Sequence, residues 1–239
     1  SSDVCSSDLV VMRAKLLAGP TSVVKWRGLA LDAFDGKHWY KTDRRHYSVG
    51  TFYNQNVAPA RFTIQPVVVP QQMVRYQILL EPLATTALFG PLQVRAIEGR
   101  PSGGLDVDRD GGVYTRTPSI RRFQYEVTSE IPRPLRAADE AGTLELSADK
   151  RKFLQLPADT DPRIFTLAQQ ITTGLTSVPA KAAAVESYLK KNYKYTLELT
   201  WNPGEQPIST FLFDAKAGHC EYFASSMAVL LRAVGVPTR

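Results

Sequence analysis

The spacing of apolar and polar residues divides the chain into two parts. Up to about residue 147, apolar residues come in short runs closed by Pro or Gly. Tyr76–Pro82, Pro91–Gly99, Gly112–Pro118 and Arg121–Pro132 are rich in β-branched and aromatic side chains, which predicts strands. Within the last, Phe123, Tyr125 and Val127 alternate with polar neighbours, as in a half-buried strand. Many close-set strands without a helical period predict an antiparallel sandwich-like module.

Near Leu156-Pro157 the period changes from two to about 3.6. Asp161 and Pro162 open a helix with Ile164, Leu167, Ala168 and Ile171 on one face, and Gly174 stops it. Ser177 and Pro179 open a second helix, with Val185, Tyr188 and Leu189 facing inward to about Asn192. "YKYTLELT" then reads as extended. From Cys220, a third helix repeats Phe223, Met227, Leu230, Leu231 and Val234, and the first four of these are expected to be buried. Gly235 and Pro237 end it. Strands followed by helices make an α+β chain. Its expected division is a tail at 1–9, a β-rich module at 10–150 and a helical region at 151–239.

Composition narrows the classes of function. With 44% hydrophobic and 22% charged residues over 239 positions, the balance is that of a globular chain. The net charge of +6 is spread in pairs such as Arg44-Arg45 and Arg121-Arg122, without the focused stripe of a nucleic-acid reader. The run Leu9–Gly19 is shorter than the roughly 18–20 residues of a membrane span, and Arg13 and Lys15 interrupt it. Residues 1–9, "SSDVCSSDL", are a polar near-repeat read as a non-native or disordered tail. Asp106, Asp108, Asp110 and Gly111 resemble the opening of a calcium loop, but Thr117 stands where the closing Glu belongs, so a hairpin turn is expected.

Of the two cysteines, Cys5 belongs to that tail and Cys220 opens the third helix behind Gly218. A helix N-terminus presents unsatisfied N–H groups and the positive end of the macrodipole, which stabilise a thiolate. The N–H of Cys220 itself could serve an oxyanion. His219 and Glu221 flank it in sequence, and neighbouring helical residues do not face one another. His38 and His46 read as surface or turn residues of the β-rich region. No metal-ligand spacing occurs around Cys220.

"TFLFDAKAGHCEYFASSMAVLLRAVGVPTR" resembles the nucleophile segment of the transglutaminase-like superfamily of papain-like cysteine enzymes. Phe211, Leu212, Gly218, Cys220, Phe223, Ala224, Arg232, Gly235, Pro237 and Arg239 fill its pattern. "KWRGLALDAFDGKHWY", "YQILLEPL" and "LQLPADTDPRIFTLAQQIT" resemble the extracytoplasmic part of bacterial TgpA-type membrane proteins. The resemblance implies a β-rich module followed by an incomplete papain-like core. Cys220 would form a thioester with a protein or peptide glutamine or amide carbonyl, without a cofactor. A His and an Asp would lie beyond residue 239, leaving the chain an inactive fragment, and the native protein would be membrane-anchored with this region on the extracytoplasmic, periplasmic face. The alternatives are a cysteine protease or amidase of the same fold, and a non-catalytic cell-envelope interaction module.

Overall fold

The computed structural model describes residues 10–20, 25–50, 60–66, 68–101, 103–131 and 151–239. The tail at 1–9, with Cys5, and most of the polar stretch between the β-rich and helical regions lie outside the described residues. Two compact units emerge. Residues 10–30 and 43–131 form a β-rich unit, and residues 31–42 join 151–239 in a helical one.

Two antiparallel sheets, of five and four strands, make up most of the described β-rich unit, beside a short antiparallel pairing of Trp26–Arg27 with Gly90–Pro91. The larger runs, in spatial order, Met12–Ala18, Met73–Leu80, Phe123–Glu130, Val94–Gly99 and Ala60–Thr63. Register sets Tyr125 opposite Ile78, Val127 opposite Ile97, and Ile97 opposite Phe62. The smaller runs Tyr47–Val49, Leu105–Val107, Val113–Thr115 and Ala87–Leu88. Leu88, Leu105 and Val113 of the smaller sheet join Phe62, Ile78, Ile97, Tyr125 and Val127 of the larger in one buried cluster. Two sheets sharing one apolar interior make the sandwich-like arrangement that the alternation predicts. The Tyr125 hydroxyl donates to the Phe89 carbonyl at 2.8 Å and accepts from its N–H at 2.9 Å, so this deeply buried phenol is satisfied.

Asp106–Gly112 is the hairpin turn expected of it. The Asp108 carboxylate accepts from the N–H of Asp110 at 2.8 Å, the N–H of Gly112 at 2.9 Å and the Tyr114 hydroxyl at 2.6 Å. Gly111 takes a positive φ of 82°. The carboxylate that a calcium loop would turn toward an ion is therefore engaged in holding its own turn.

In the helical unit, α1 spans Pro162–Ile171, α2 Val178–Asn192 and α3 Cys220–Ala233. Their start signals act as the sequence indicates: Asp161 accepts from Arg163 N–H and Ser177 from Ala180 N–H. Between α2 and α3 the chain makes a helical turn at Pro207–Ser209 and widens into a π-helical turn at Thr210–Ala215. Ile164, Ala168, Val185, Leu189, Phe211, Leu212, Val229, Leu230 and Val236 form the core, and Phe34 from the 31–42 segment joins them.

Candidate active site around Cys220

The approach to Cys220 is built from the π-helical turn outward. Lys216 ends that turn with φ 50°, its N–H reaching back to the Phe211 carbonyl at 3.0 Å. The chain then runs extended at Ala217–Gly218, parallel to Lys194–Tyr195. Lys194 N–H donates to Lys216 O at 2.9 Å, and Thr196 N–H to Gly218 O at 2.9 Å. The Trp201 indole N–H donates to Ala217 O at 2.7 Å. Three donors therefore fix the backbone just before the nucleophile position.

Gly218 lies tightly against aromatic side chains. A Cβ on it would lie 3.0 Å from Tyr222 Cδ2 and 3.2 Å from two carbons of the Phe211 ring. Those rings stack at 5.7 Å between centroids, and Tyr222 also meets Trp201 at 4.9 Å. The glycine lets the backbone lie against an aromatic wall, a reason that spacing alone does not reveal.

Cys220 is the first residue of α3, as its sequence position predicts, and is an exposed free thiol. His219 precedes the helix in an extended conformation and makes no side-chain cap. The first intrahelical bonds run from Tyr222 and Phe223 N–H to His219 O, at 3.1 and 3.4 Å. Among the described residues, the N–H groups of Cys220 and Glu221 and the thiol have no hydrogen-bond partner. An exposed sulfur beside unspent backbone donors can attack a carbonyl and shelter the oxyanion that results.

The histidines are placed as follows. The His219 ring packs edge-on against Tyr222 at 4.8 Å, and its Nδ1 is buried without a partner among the described residues. His46 is exposed in the β-rich unit and stacks on Tyr114 at 4.3 Å. His38 is exposed too, in a turn where the Asp35 carboxylate accepts its N–H at 2.6 Å, but that turn belongs to the helical unit.

The apolar period of α3 predicts part of its buried face. Leu230 and Leu231 are buried, whereas Phe223 and Met227 are only half-buried. Ser225, Ser226 and Arg232 face the interior instead. Arg232 is 4% exposed, and its guanidinium is met by one hydroxyl and three backbone carbonyls. It donates to Thr238 Oγ1 at 3.1 Å, Thr238 O at 2.5 Å, Gln155 O at 2.7 Å and Asp32 O at 2.8 Å. Burial pulls its pKa down to about 10. A fork of donors meeting backbone carbonyls suits arginine and leaves no apolar signature in the sequence.

Residues 2–136 match the model of the TgpA N-terminal domain, more than half of the chain, and residues 166–239 match that of the transglutaminase-like superfamily. The chain belongs to the TgpA family. Among curated relatives, this TgpA-family chain is 27% identical over 260 residues to the uncharacterized protein YebA of Bacillus subtilis, covering 93% of the chain and 33% of that protein. It is also 27% identical over 224 residues to a protein-glutamine gamma-glutamyltransferase of Pseudomonas aeruginosa, covering 92% and 29%. The chain thus spans about a third of the length of these relatives. Its fold matches the crystal structure of the periplasmic domain of TgpA from Pseudomonas aeruginosa with a TM-score of 0.69 at 23% identity, over 99% of this chain and 74% of that one. A β-rich region followed by a helical one is the fold of that domain. Among the described residues, no helix is long and apolar enough to cross a membrane.

Proposed function

We propose that Cys220 is the nucleophile of a transglutaminase-like acyl transfer. Its thiolate attacks the carboxamide carbon of a glutamine in a protein or peptide. The S–C bond forms, the negative charge on oxygen rests on the Cys220 N–H, and the C–N bond breaks to release ammonia and leave a thioester. A primary amine then displaces the sulfur to give the new amide. Departure of ammonia requires a proton, and the family resemblance assigns that transfer to a His oriented by an Asp, downstream of Arg239 in the family pattern. The observation that carries the reading is the coincidence at one point of an exposed thiol, unspent first-turn N–H groups and a backbone anchored by Trp201, Lys194 and Thr196.

The location follows from the same reading: this region lies on the extracytoplasmic side of a membrane-anchored protein, as does the periplasmic domain it resembles in fold. Reporter fusions to either end of the region, in its native sequence context, test this. Activity only in cytoplasmic reporters would refute it.

The activity test is incorporation of a labelled primary amine into a glutamine peptide by the protein in its native sequence context, comparing wild type with Cys220→Ala. Loss of incorporation in the variant is expected. Ammonia release without incorporation would mean that water resolves the thioester, making the protein an amidase. Incorporation that survives Cys220→Ala would refute the nucleophile assignment. An unreactive Cys220 with no turnover of either kind would favour a non-catalytic envelope module.

A further inference from the structure

Residues 31–42 lie within the stretch that matches the N-terminal domain model, yet they pack with the helical unit. They form a small hairpin, Ala33–Phe34 pairing with Trp39–Tyr40 around a turn held by the Asp35 carboxylate. Phe34 is 4% exposed, inside the core that surrounds α3. The Gln155 side-chain amide donates to Phe34 O and accepts from Phe34 N–H, both at 2.9 Å, supplying what a neighbouring strand would. Asp32 is almost wholly buried. Burial alone would raise its pKa, but hydrogen bonds from the Thr42 side chain and N–H, with Lys152 nearby, hold it below the ordinary value.

The hairpin grips α3 at two places. The Trp39 indole N–H donates to Ser225 Oγ at 3.0 Å. The Trp39 ring also lies 4.8 Å under the Arg232 guanidinium and stacks on Phe34 at 4.9 Å, while Arg232 reaches Asp32 O. Ser225 and Arg232 are about two helical turns apart on one side of α3. At about 100° per residue, Cys220 sits roughly 140° around the axis from Ser225, on another side of the helix from these two contacts. Two contacts on one side of a helix fix its rotation, and rotation sets where a residue on another side points.

We propose that Trp39 is a positioning residue: through Ser225 it fixes the rotation of α3 and with it the direction in which Cys220 faces. The hairpin at 31–42 is on this account a working part of the transglutaminase-like core. The role in catalysis rests on Cys220 being the nucleophile, whereas the positioning itself can be read without turnover.

The test uses the full chain in a Cys5→Ser background, with a nitroxide attached to the exposed Cys220. Trp39→Phe keeps the ring but loses the donor, and Ser225→Ala loses the acceptor. Each is expected to add the same second, more mobile component to the electron paramagnetic resonance spectrum, at temperatures where circular dichroism shows the protein folded. The double variant should add nothing further, as expected for two halves of one contact. In the native sequence context, each should lower kcat about three- to tenfold with KM unchanged, the scale of one hydrogen bond. A spectrum unaltered by either substitution overturns the positioning role, even where the melting temperature falls. Amine incorporation surviving Cys220→Ala would instead overturn the nucleophile assignment and leave the spectral result standing.

Discussion

Arg232→Lys is the sharpest perturbation of the α3 anchorage, because it keeps the charge and changes only the geometry. The guanidinium meets four acceptors, on Thr238, Gln155 and Asp32, and lies over Trp39. An ammonium has three donors around one nitrogen and no planar face. At least one acceptor at this 4%-exposed site is then left unmet, at about 1.5–3 kcal/mol for a bond to a charged donor. Loss of the stacked cation adds about 0.5–1 kcal/mol. The expected destabilisation is about 2–4 kcal/mol, read as a lower midpoint in urea unfolding followed by helical circular dichroism, with the slope unchanged. A difference below about 0.5 kcal/mol, within the range of ordinary surface substitutions, would refute the clamp.

Gly218→Ala should cost about 1–3 kcal/mol, since its methyl must displace the Tyr222 or Phe211 ring; thermal melts equal to wild type would show that the wall yields freely. Tyr193→Phe removes a hydroxyl that donates to the buried Leu212 carbonyl at 3.0 Å and should cost about 1–2 kcal/mol in the same melts. Asp161 bears on acid stability. The Arg163 guanidinium, above all, holds its carboxyl down at about 2, below an ordinary Asp value of about 3.9. A depressed carboxyl contributes stability that is fully present above the ordinary pKa and is lost as pH falls through the folded one. Stability should therefore decline between about pH 4 and pH 2, and Asp161→Asn, which can still cap α1, should flatten that part of the curve. An unchanged acid limb would discount the Arg163 pairing.

Local signals were the legible ones. Asp161-Pro162 and Ser177 start α1 and α2 where the sequence places them, because a cap needs only its own next few residues. The period-two strands and the Asp108 turn were readable for the same reason. What escaped was set by residues distant in sequence. Trp39 looks like one aromatic among several in "KWRGLALDAFDGKHWY", while its hydrogen-bond partner Ser225 is 186 residues away. Ser225 and Arg232 are buried on α3, and periodicity, which assigns polar residues to solvent, cannot see a polar partner waiting inside. Gly218 stands out in sequence by its place behind Cys220, but the rings that crowd it come from Phe211 and Tyr222. Nothing in "TFLFDA" announces the wide turn that it adopts.

The two ends of α3 are treated in opposite ways, and chemistry explains the difference. At the C-terminal end, Arg232 ties the helix to Thr238, Gln155 and Asp32. At the N-terminal end the thiol and the N–H groups of Cys220 and Glu221 meet no acceptor among the described residues, and His219 supplies no cap. A Ser, Thr or Asp at position 219 would supply that cap, worth about 0.5–2 kcal/mol, but would spend donors that an oxyanion could use. Because Cys220 is exposed, water can solvate these groups at rest, so leaving them unspent costs little in the folded state. Installing a cap separates the two demands. His219→Asp should raise the melting temperature while lowering the amine-incorporation rate in the native sequence context, through a carboxylate that competes for the first-turn N–H groups and repels the oxyanion. His219→Asn, neutral and a comparable cap, should raise stability with a smaller loss of rate. If both variants gain stability and keep full activity, the first-turn donors are not used in the reaction and the oxyanion must be held elsewhere.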